Sequence, residues 1–199
     1  TGQVCVTASN PCGTSQQACI NVRVTQAPSG TISGSGQFCA GTNPSINLTV
    51  TLTGTGPWDI GYSINGGPPT VVTANSSPYT LVATQAGTYT LTSVNTASGC
   101  AGTFSGSATV TQNPAPTAVL SGSGSICQGS GQQAGLTITL TGAAPWQVCW
   151  EVNGNAQAPL NINASPYTLN IGQAQAGAIT NSCVTDNNNC SGQASGSAN

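Results

Sequence analysis

The nine cysteines are the residues of this chain best equipped for chemistry, and their spacing narrows that chemistry to disulfide formation. Cys39 and Cys100 stand in one stretch. Cys127 and Cys190 stand 88 and 90 residues further on, among the same landmarks in the same order: Trp58/Trp146, Tyr79/Tyr167 and Gly87/Gly177. This correspondence leads to the pairs Cys39–Cys100 and Cys127–Cys190, although sequence alone does not settle connectivity. Each bond would close a loop of about 60 residues and contribute about 4 kcal/mol in the chain-entropy picture. Cys149 and Cys183 replace Gly61 and Ser93 together, which reads as two positions facing each other across neighbouring strands and bonded as Cys149–Cys183. Cys5 and Cys19 flank Cys12 symmetrically and read as a cross-strand bond. Cys12 is then unpaired within this stretch, the counterpart of Cys100, with its partner expected upstream. The competing chemistry is metal binding. It finds no histidine, no Cys-x-x-Cys and no carboxylate cluster to work with, and no cofactor is expected.

Catalysis is as poorly supplied. There is one arginine (Arg23), no lysine, no histidine, and only Asp59, Glu151 and Asp186 as acids. General acid/base and nucleophilic mechanisms need positioned titratable groups, and this chain is not expected to be an enzyme. Without lysine, a lysine–asparagine isopeptide staple is also excluded. Charged residues make up 2% of the chain, against roughly 25% in an ordinary soluble domain. A surface without cations has no means of engaging phosphate, so nucleic acid is excluded as a partner. No run approaches the ~20 apolar residues of a membrane span, and direct membrane insertion is not expected. The matched cysteine framework points to an oxidising compartment: secreted, extracellular or at the cell surface.

The elements that must position the cysteines are strands. Val4, Val6, Ile20, Val22 and Val24 alternate with polar residues about Asn10-Pro11-Cys12-Gly13, so residues 1–26 read as a hairpin with one buried face. Laid on the repeat, it matches the last two strands and reads as the C-terminal end of an incomplete domain. A complete repeat follows at 29–113, with apolar alternation at Ile46, Leu48, Val50 and Leu52 and again at Trp58, Ile60, Tyr62 and Ile64, and further strands predicted near Thr70 to Thr73, Tyr79 to Ala83, Thr88 to Val94 and Thr103 to Thr111. A second repeat at 117–199 lacks the counterpart of most of the last strand. Two readings of those ends compete: a cut through a longer tandem array, or a subunit whose open edges are completed by neighbours through strand addition. About seven short strands per repeat, with turn residues between them, predict an all-β fold of tandem antiparallel β-sandwiches of immunoglobulin-like type, stapled by disulfides.

Trp58 and Trp146 invite reading as sugar-stacking platforms, but their phase with apolar neighbours places them in the core, and Tyr89 is read as a core aromatic that could form a tyrosine corner. The threonine-rich run Leu48-Thr49-Val50-Thr51-Leu52-Thr53 evokes an ice-binding face; a solvated strand face is the simpler reading. Asn47, Asn75, Asn163 and Asn189 begin N-glycosylation patterns of a kind that chance supplies in a chain so rich in Asn, Ser and Thr.

Phe38-Cys39, Leu48-Thr49-Val50-Thr51-Leu52-Thr53-Gly54, Gly56-Pro57-Trp58, Ser77-Pro78-Tyr79, Gly87-Thr88-Tyr89-Thr90-Leu91 and Gly99-Cys100 together resemble the tandem immunoglobulin-like or PKD-like repeats of very large secreted surface proteins of Bacteroidota, including gliding-type adhesins. The resemblance covers nearly the whole chain, and Thr7-Ala8-Ser9-Asn10-Pro11-Cys12-Gly13 resembles the end of a PKD-like domain. It implies export, by the type IX route, and a stalk, filament or adhesive role. The expected function is therefore a non-catalytic structural repeat of an extracellular filament or giant surface protein. Its partners would be copies of itself or adjacent repeats. The rival is a glycan-binding adhesin array with an extracellular polysaccharide as ligand. Loops that differ between repeats, Asn65-Gly66-Gly67-Pro68-Pro69 against Asn153-Gly154-Asn155-Ala156-Gln157, favour the structural reading, because a shared ligand site would preserve its contacts.

Overall fold

The structure, a computed structural model, describes residues 2–199. Apart from one 3-10 turn, Gln173–Gln175, its regular elements are all strands. That turn falls where the second repeat carries its two extra residues, so the insertion is absorbed between strands Tyr167–Ile171 and Ile179–Thr185. Contacts along the backbone divide the chain into two compact units, Thr1–Ser35 with Asn47–Val82 and Gly87–Thr109, and Gly36–Ile46 with Ala83–Ala86 and Val110–Asn199.

In the first unit, strand Ile46–Thr53 alternates strictly. Leu48, Val50 and Leu52 are buried, while Thr49, Thr51 and Thr53 are exposed. It pairs antiparallel with Ser29–Ser33, Ile32 opposite Val50. Trp58–Ile64 pairs on one side with Thr70–Ala74 and on the other with Gly87–Thr96, with a bulge between Leu91 and Ser93. The inward residues Ile60, Tyr89, Leu91 and Val94 join Trp58 and Leu48 in the core. A period of two on both sheets is what a two-layer sandwich requires, one face dry and one wet.

Between residues 29 and 113 there are nine strands, where seven were expected. The last predicted strand, Thr103 to Thr111, is broken in two at Gly106, and before the strands predicted from sequence the chain forms Ser29–Ser33 and Ser35–Cys39, separated by Gly34; both glycines are in the left-handed region, Gly34 at φ +116° and Gly106 at φ +85°. A Cβ on Gly106 would collide with the carbonyl of Ile32, so the chain bends there only because the side chain is absent. The sandwich is also not wholly antiparallel. Thr103–Ser105 runs parallel to Ser29–Thr31, and in the second unit Gln193–Ser195 runs parallel to Thr117–Val119.

The second unit repeats the plan. Ala134–Thr141 lies between Thr117–Ser121 and Tyr167–Ile171, and Trp146–Val152 pairs with Ile179–Thr185 and with Leu160–Ile162. Its core gathers Leu120, Ile138, Trp146, Val148, Trp150 and Val184. Ser35–Cys39 and Ala108–Asn113 are neighbours in one sheet. The second repeat's residues 123–127 form no strand, and its last strand is the short Ser197–Ala198.

The N-terminal hairpin forms, Gly2–Val6 against Ala18–Val22, but the buried face expected of it does not. Val4 is 53% exposed and Ile20 67%. A two-stranded ribbon has no second layer to cover its apolar side, so alternation there specifies register without producing burial.

Candidate functional site

Cys39, Cys127, Cys100 and Cys190 occupy two kinds of seat, and each kind is built by hydrogen bonds that recur in both repeats. Cys39 closes a strand and enters a turn, its carbonyl accepting the Thr42 N–H at 3.2 Å and the Thr42 hydroxyl at 2.6 Å. The next residue, Ala40, donates its N–H to the Asn113 carbonyl at 2.8 Å. Cys127 is seated the same way, with Ser130 donating its N–H at 3.1 Å and its hydroxyl at 2.7 Å to the Cys127 carbonyl. Both seats rest on a hydroxyl residue three positions on.

Cys100 and Cys190 occupy the other kind. The Cys190 N–H donates to Asp186 Oδ1 at 3.0 Å, and the Asp186 N–H returns to the Cys190 carbonyl at 3.0 Å. In the first repeat Thr96 replaces Asp186: the Cys100 N–H donates to Thr96 Oγ1 at 3.1 Å, and the Thr96 N–H donates to the Cys100 carbonyl at 3.0 Å. Sequence reasoning missed these two residues. Asp and Thr look unrelated, and only their common distance from the cysteine could have marked them. Asp186 does more than Thr96, accepting also from the Asn188 N–H at 3.0 Å and the Ala143 N–H at 3.1 Å, in a buried position. Asp186→Ala leaves three amides without their carboxylate and is expected to cost about 3 kcal/mol. Asp186→Thr should recover part of that loss, because threonine already fills this role at position 96. Guanidinium unfolding of the two variants checks both statements, and equal losses would show that the seat does not depend on an oxygen acceptor.

The bonds themselves differ from the expected set. Cys5 is bonded to Cys19 and Cys149 to Cys183, in each case directly opposite in strand register. In place of Cys39–Cys100 and Cys127–Cys190, the structure joins Cys39 to Cys190, with Cα atoms 5.4 Å apart. Cys100 and Cys127 carry free thiols, half-buried and exposed respectively, and Cys12 is a third, exposed. The reason lies in strand direction. Cys190 leads directly into Ser191–Ser195, which runs alongside Thr117–Val119, whereas Cys127 follows Thr117 by ten residues of chain. Thr117 and Ser121 are the ends of one strand and, at ~3.3 Å per residue, lie about 13 Å apart, so the strand carries the chain away from Cys190 by more than the ~7 Å Cα limit of a disulfide before Cys127 is reached. The first repeat is laid out alike, Cys100 preceding the strand that pairs with Ser29–Thr31 and Cys39 following Ser29 by ten residues.

The Cys100 thiol has a distinctive surrounding. Thr25 Oγ1 lies 3.1 Å from its Sγ, and the Ser98 hydroxyl donates to it at 3.8 Å. Hydroxyls of Thr25, then Ser98 and Thr96, stabilise the thiolate and hold the Cys100 pKa below the ordinary thiol value. A depressed pKa means that the thiolate persists to lower pH. The rate of Cys100 alkylation by iodoacetamide, followed on its own peptide, should therefore reach half its plateau below the pH of about 8.5 typical of a free cysteine. Thr25→Ala should move that midpoint upward, and a midpoint unchanged by the substitution would remove the hydroxyl from the account.

Trp58 and Trp146 are each 7% exposed, with the indole N–H donating to the carbonyls of Thr53 at 3.0 Å and Thr141 at 2.9 Å. Their faces are not presented for stacking on a sugar. Tyr89 is buried, its ring centroid 6.1 Å from that of Tyr62. Among the described residues no three of His, Cys, Asp and Glu gather where a metal ion could be held, and no helix is long and apolar enough to cross a membrane.

Residues 26–110 match the family of the Ig-like domain of nucleoporin POM152. No curated protein matches the chain. Among solved structures it is similar to an I-band fragment from titin, with 17% identity over 99% of this chain and 73% of that one at a TM-score of 0.50. It is also similar to a three-Ig titin structure in an E-to-A mutated variant, with 15% identity over 86% of this chain and 62% of that one at a TM-score of 0.50. At these identities the likeness is one of fold, and the fold is all-β and immunoglobulin-like.

Proposed function

We propose that this chain is a run of structural repeats from an extracellular filament or a giant cell-surface protein, without catalytic activity, and that its partners are adjacent repeats or copies of itself. The observation that carries this reading is the recurrence of one immunoglobulin-like plan, with its early and late cysteines in the same seats, along a chain almost free of charge. An uncharged surface lets identical units pack without mutual repulsion and makes their contacts nearly indifferent to salt. It also presents trypsin with Arg23 alone. Disulfides belong to oxidising compartments, which supports secretion. The resemblance to Bacteroidota surface repeats supports a bacterial stalk or filament, with the repeats divided at 1–26, 29–113 and 117–199.

The rival role, recognition of an extracellular polysaccharide, lacks support in Trp58 and Trp146, the two residues read as possible sugar platforms, which are buried. Isothermal titration of the oxidised chain with a panel of bacterial polysaccharides should show no saturable binding. A saturable isotherm with any of them would transfer the chain to the class of glycan-binding adhesins.

A further inference from the structure

The free thiols Cys127 and Cys100 match, seat for seat, the two partners of the one bond that links the sequence repeats. Cys39 belongs to the first repeat and Cys190 to the second. Cys127 stands at the Cys39 position of the second repeat, its carbonyl held by Ser130 as that of Cys39 is held by Thr42. Cys100 stands at the Cys190 position of the first repeat, its N–H held by Thr96 as that of Cys190 is held by Asp186. The observed bond joins an early seat to the late seat of another repeat, and Cys127 and Cys100 are the free cysteines that sit in seats of those two kinds.

From this we infer that Cys127 and Cys100 are the two halves of a covalent junction between copies of this chain, the Cys127 of one copy bonded to the Cys100 of the next. The inference rests on the reading of the chain as tandem structural repeats. The chain carries one free half of each kind, so a head-to-tail contact satisfies both and leaves one of each at the ends of the assembly, the arrangement that produces open fibres. Cys12, the counterpart of Cys100 by sequence position, lacks the late seat: its N–H is held by Asn10 Oδ1, two residues before it, at 2.9 Å, where Cys100 and Cys190 are held by an acceptor four residues before them.

The bond requires an oxidant, and a small disulfide such as oxidised glutathione suffices. The Cys127 thiolate attacks one glutathione sulfur, forming a mixed disulfide and releasing one glutathione thiolate. The Cys100 thiolate of the next copy then attacks the Cys127 sulfur and expels the second. Two thiols lose two protons and two electrons, and one oxidised glutathione becomes two reduced ones. The hydroxyls of Thr25, Ser98 and Thr96 favour the thiolate form of Cys100 and so suit it to the second, resolving step.

The test uses the whole chain at high concentration in a glutathione redox buffer, read by non-reducing electrophoresis and by mass spectrometry of disulfide-linked peptides. Expected are covalent oligomers whose linking peptide is Cys127–Cys100, lost in Cys127→Ser and in Cys100→Ser and retained in Cys12→Ser. Circular dichroism confirms that each variant is folded, which exposed or half-buried thiol positions should allow. Oligomers linked through Cys12, the within-repeat pairs Cys39–Cys100 and Cys127–Cys190, or a chain that stays monomeric would each overturn the inference. Electron microscopy of the same samples separates it from the reading beneath it. Filaments that form equally well in Cys127→Ser overturn the covalent junction and keep the structural role, whereas Cys127–Cys100 oligomers that never build a fibre keep the junction and count against the filament.

Discussion

Cys39→Ser will lower the unfolding free energy of the oxidised chain by about 5 kcal/mol in the chain-entropy picture, the largest single effect expected anywhere in the molecule. The Cys39–Cys190 bond closes a loop with a sequence separation of 151 residues, and the entropy a crosslink removes from the unfolded chain grows with that separation. The other two bonds close loops with separations of 34 and 14 and should contribute about 4 and about 3 kcal/mol on the same scale. Cys190 is completely buried, so the variant also leaves a thiol inside the protein where a disulfide stood. Full reduction of the native chain should therefore lower its melting temperature more than Cys39→Ser does. Guanidinium unfolding of the variant beside the parent, both without reductant, measures the first claim. Coincident midpoints would show that this bond contributes nothing and would remove the staple from the account of stability.

Trp146→Ala should cost about 4 kcal/mol, within the range for emptying an aromatic side chain out of a packed core. The indole is buried among Val148, Leu140 and Val184 in one apolar cluster, and its N–H is satisfied by the Thr141 carbonyl. Truncation removes the packing and leaves that carbonyl without its donor, so the loss exceeds the transfer term alone. Trp58→Ala should behave alike, since Trp58 has the same burial and the same bond to Thr53. Equilibrium unfolding decides the matter. A loss no larger than the ~0.5 kcal/mol of an ordinary surface change would mean that the tryptophans are not core residues.

The all-β sandwich was legible because its strands obey a period of two. Leu48, Val50 and Leu52 turn inward and the intervening threonines outward, as the alternation required. The two breaks at glycine were not legible. Gly34 and Gly106 read in sequence as ordinary small residues, and only the demand for a positive φ at a change of sheet reveals their role. Parallel pairing of the late strand with the first was hidden for a related reason. Alternation records which face a residue takes and says nothing of strand direction.

Among the cysteines, position was legible and partnership only in part. Equivalence between repeats identified two kinds of cysteine. It could not say that the two kinds lie at opposite ends of the strands that follow Ser29 and Thr117, which is what turns the bond away from its own repeat. Asp186 and Thr96 escaped notice because the task they share, accepting the N–H of a cysteine four residues on, is met equally by a carboxylate and a hydroxyl. The hairpin shows the opposite failure. Its alternation is as clear as that of any other strand, yet Val4, Val6 and Ile20 are exposed, because burial needs a second layer as well as a pattern.

The central claim, a structural repeat that builds a fibre, is tested most directly by electron microscopy of native, unreduced material. Strands of this length with their loops should advance about 35 to 45 Å along an axis for each sandwich. The account predicts continuous filaments with a constant axial repeat that is a whole multiple of that advance. Separate, flexible beaded chains ending on cells, with no constant repeat, would contradict the fibre and point instead to the stalk of a surface adhesin.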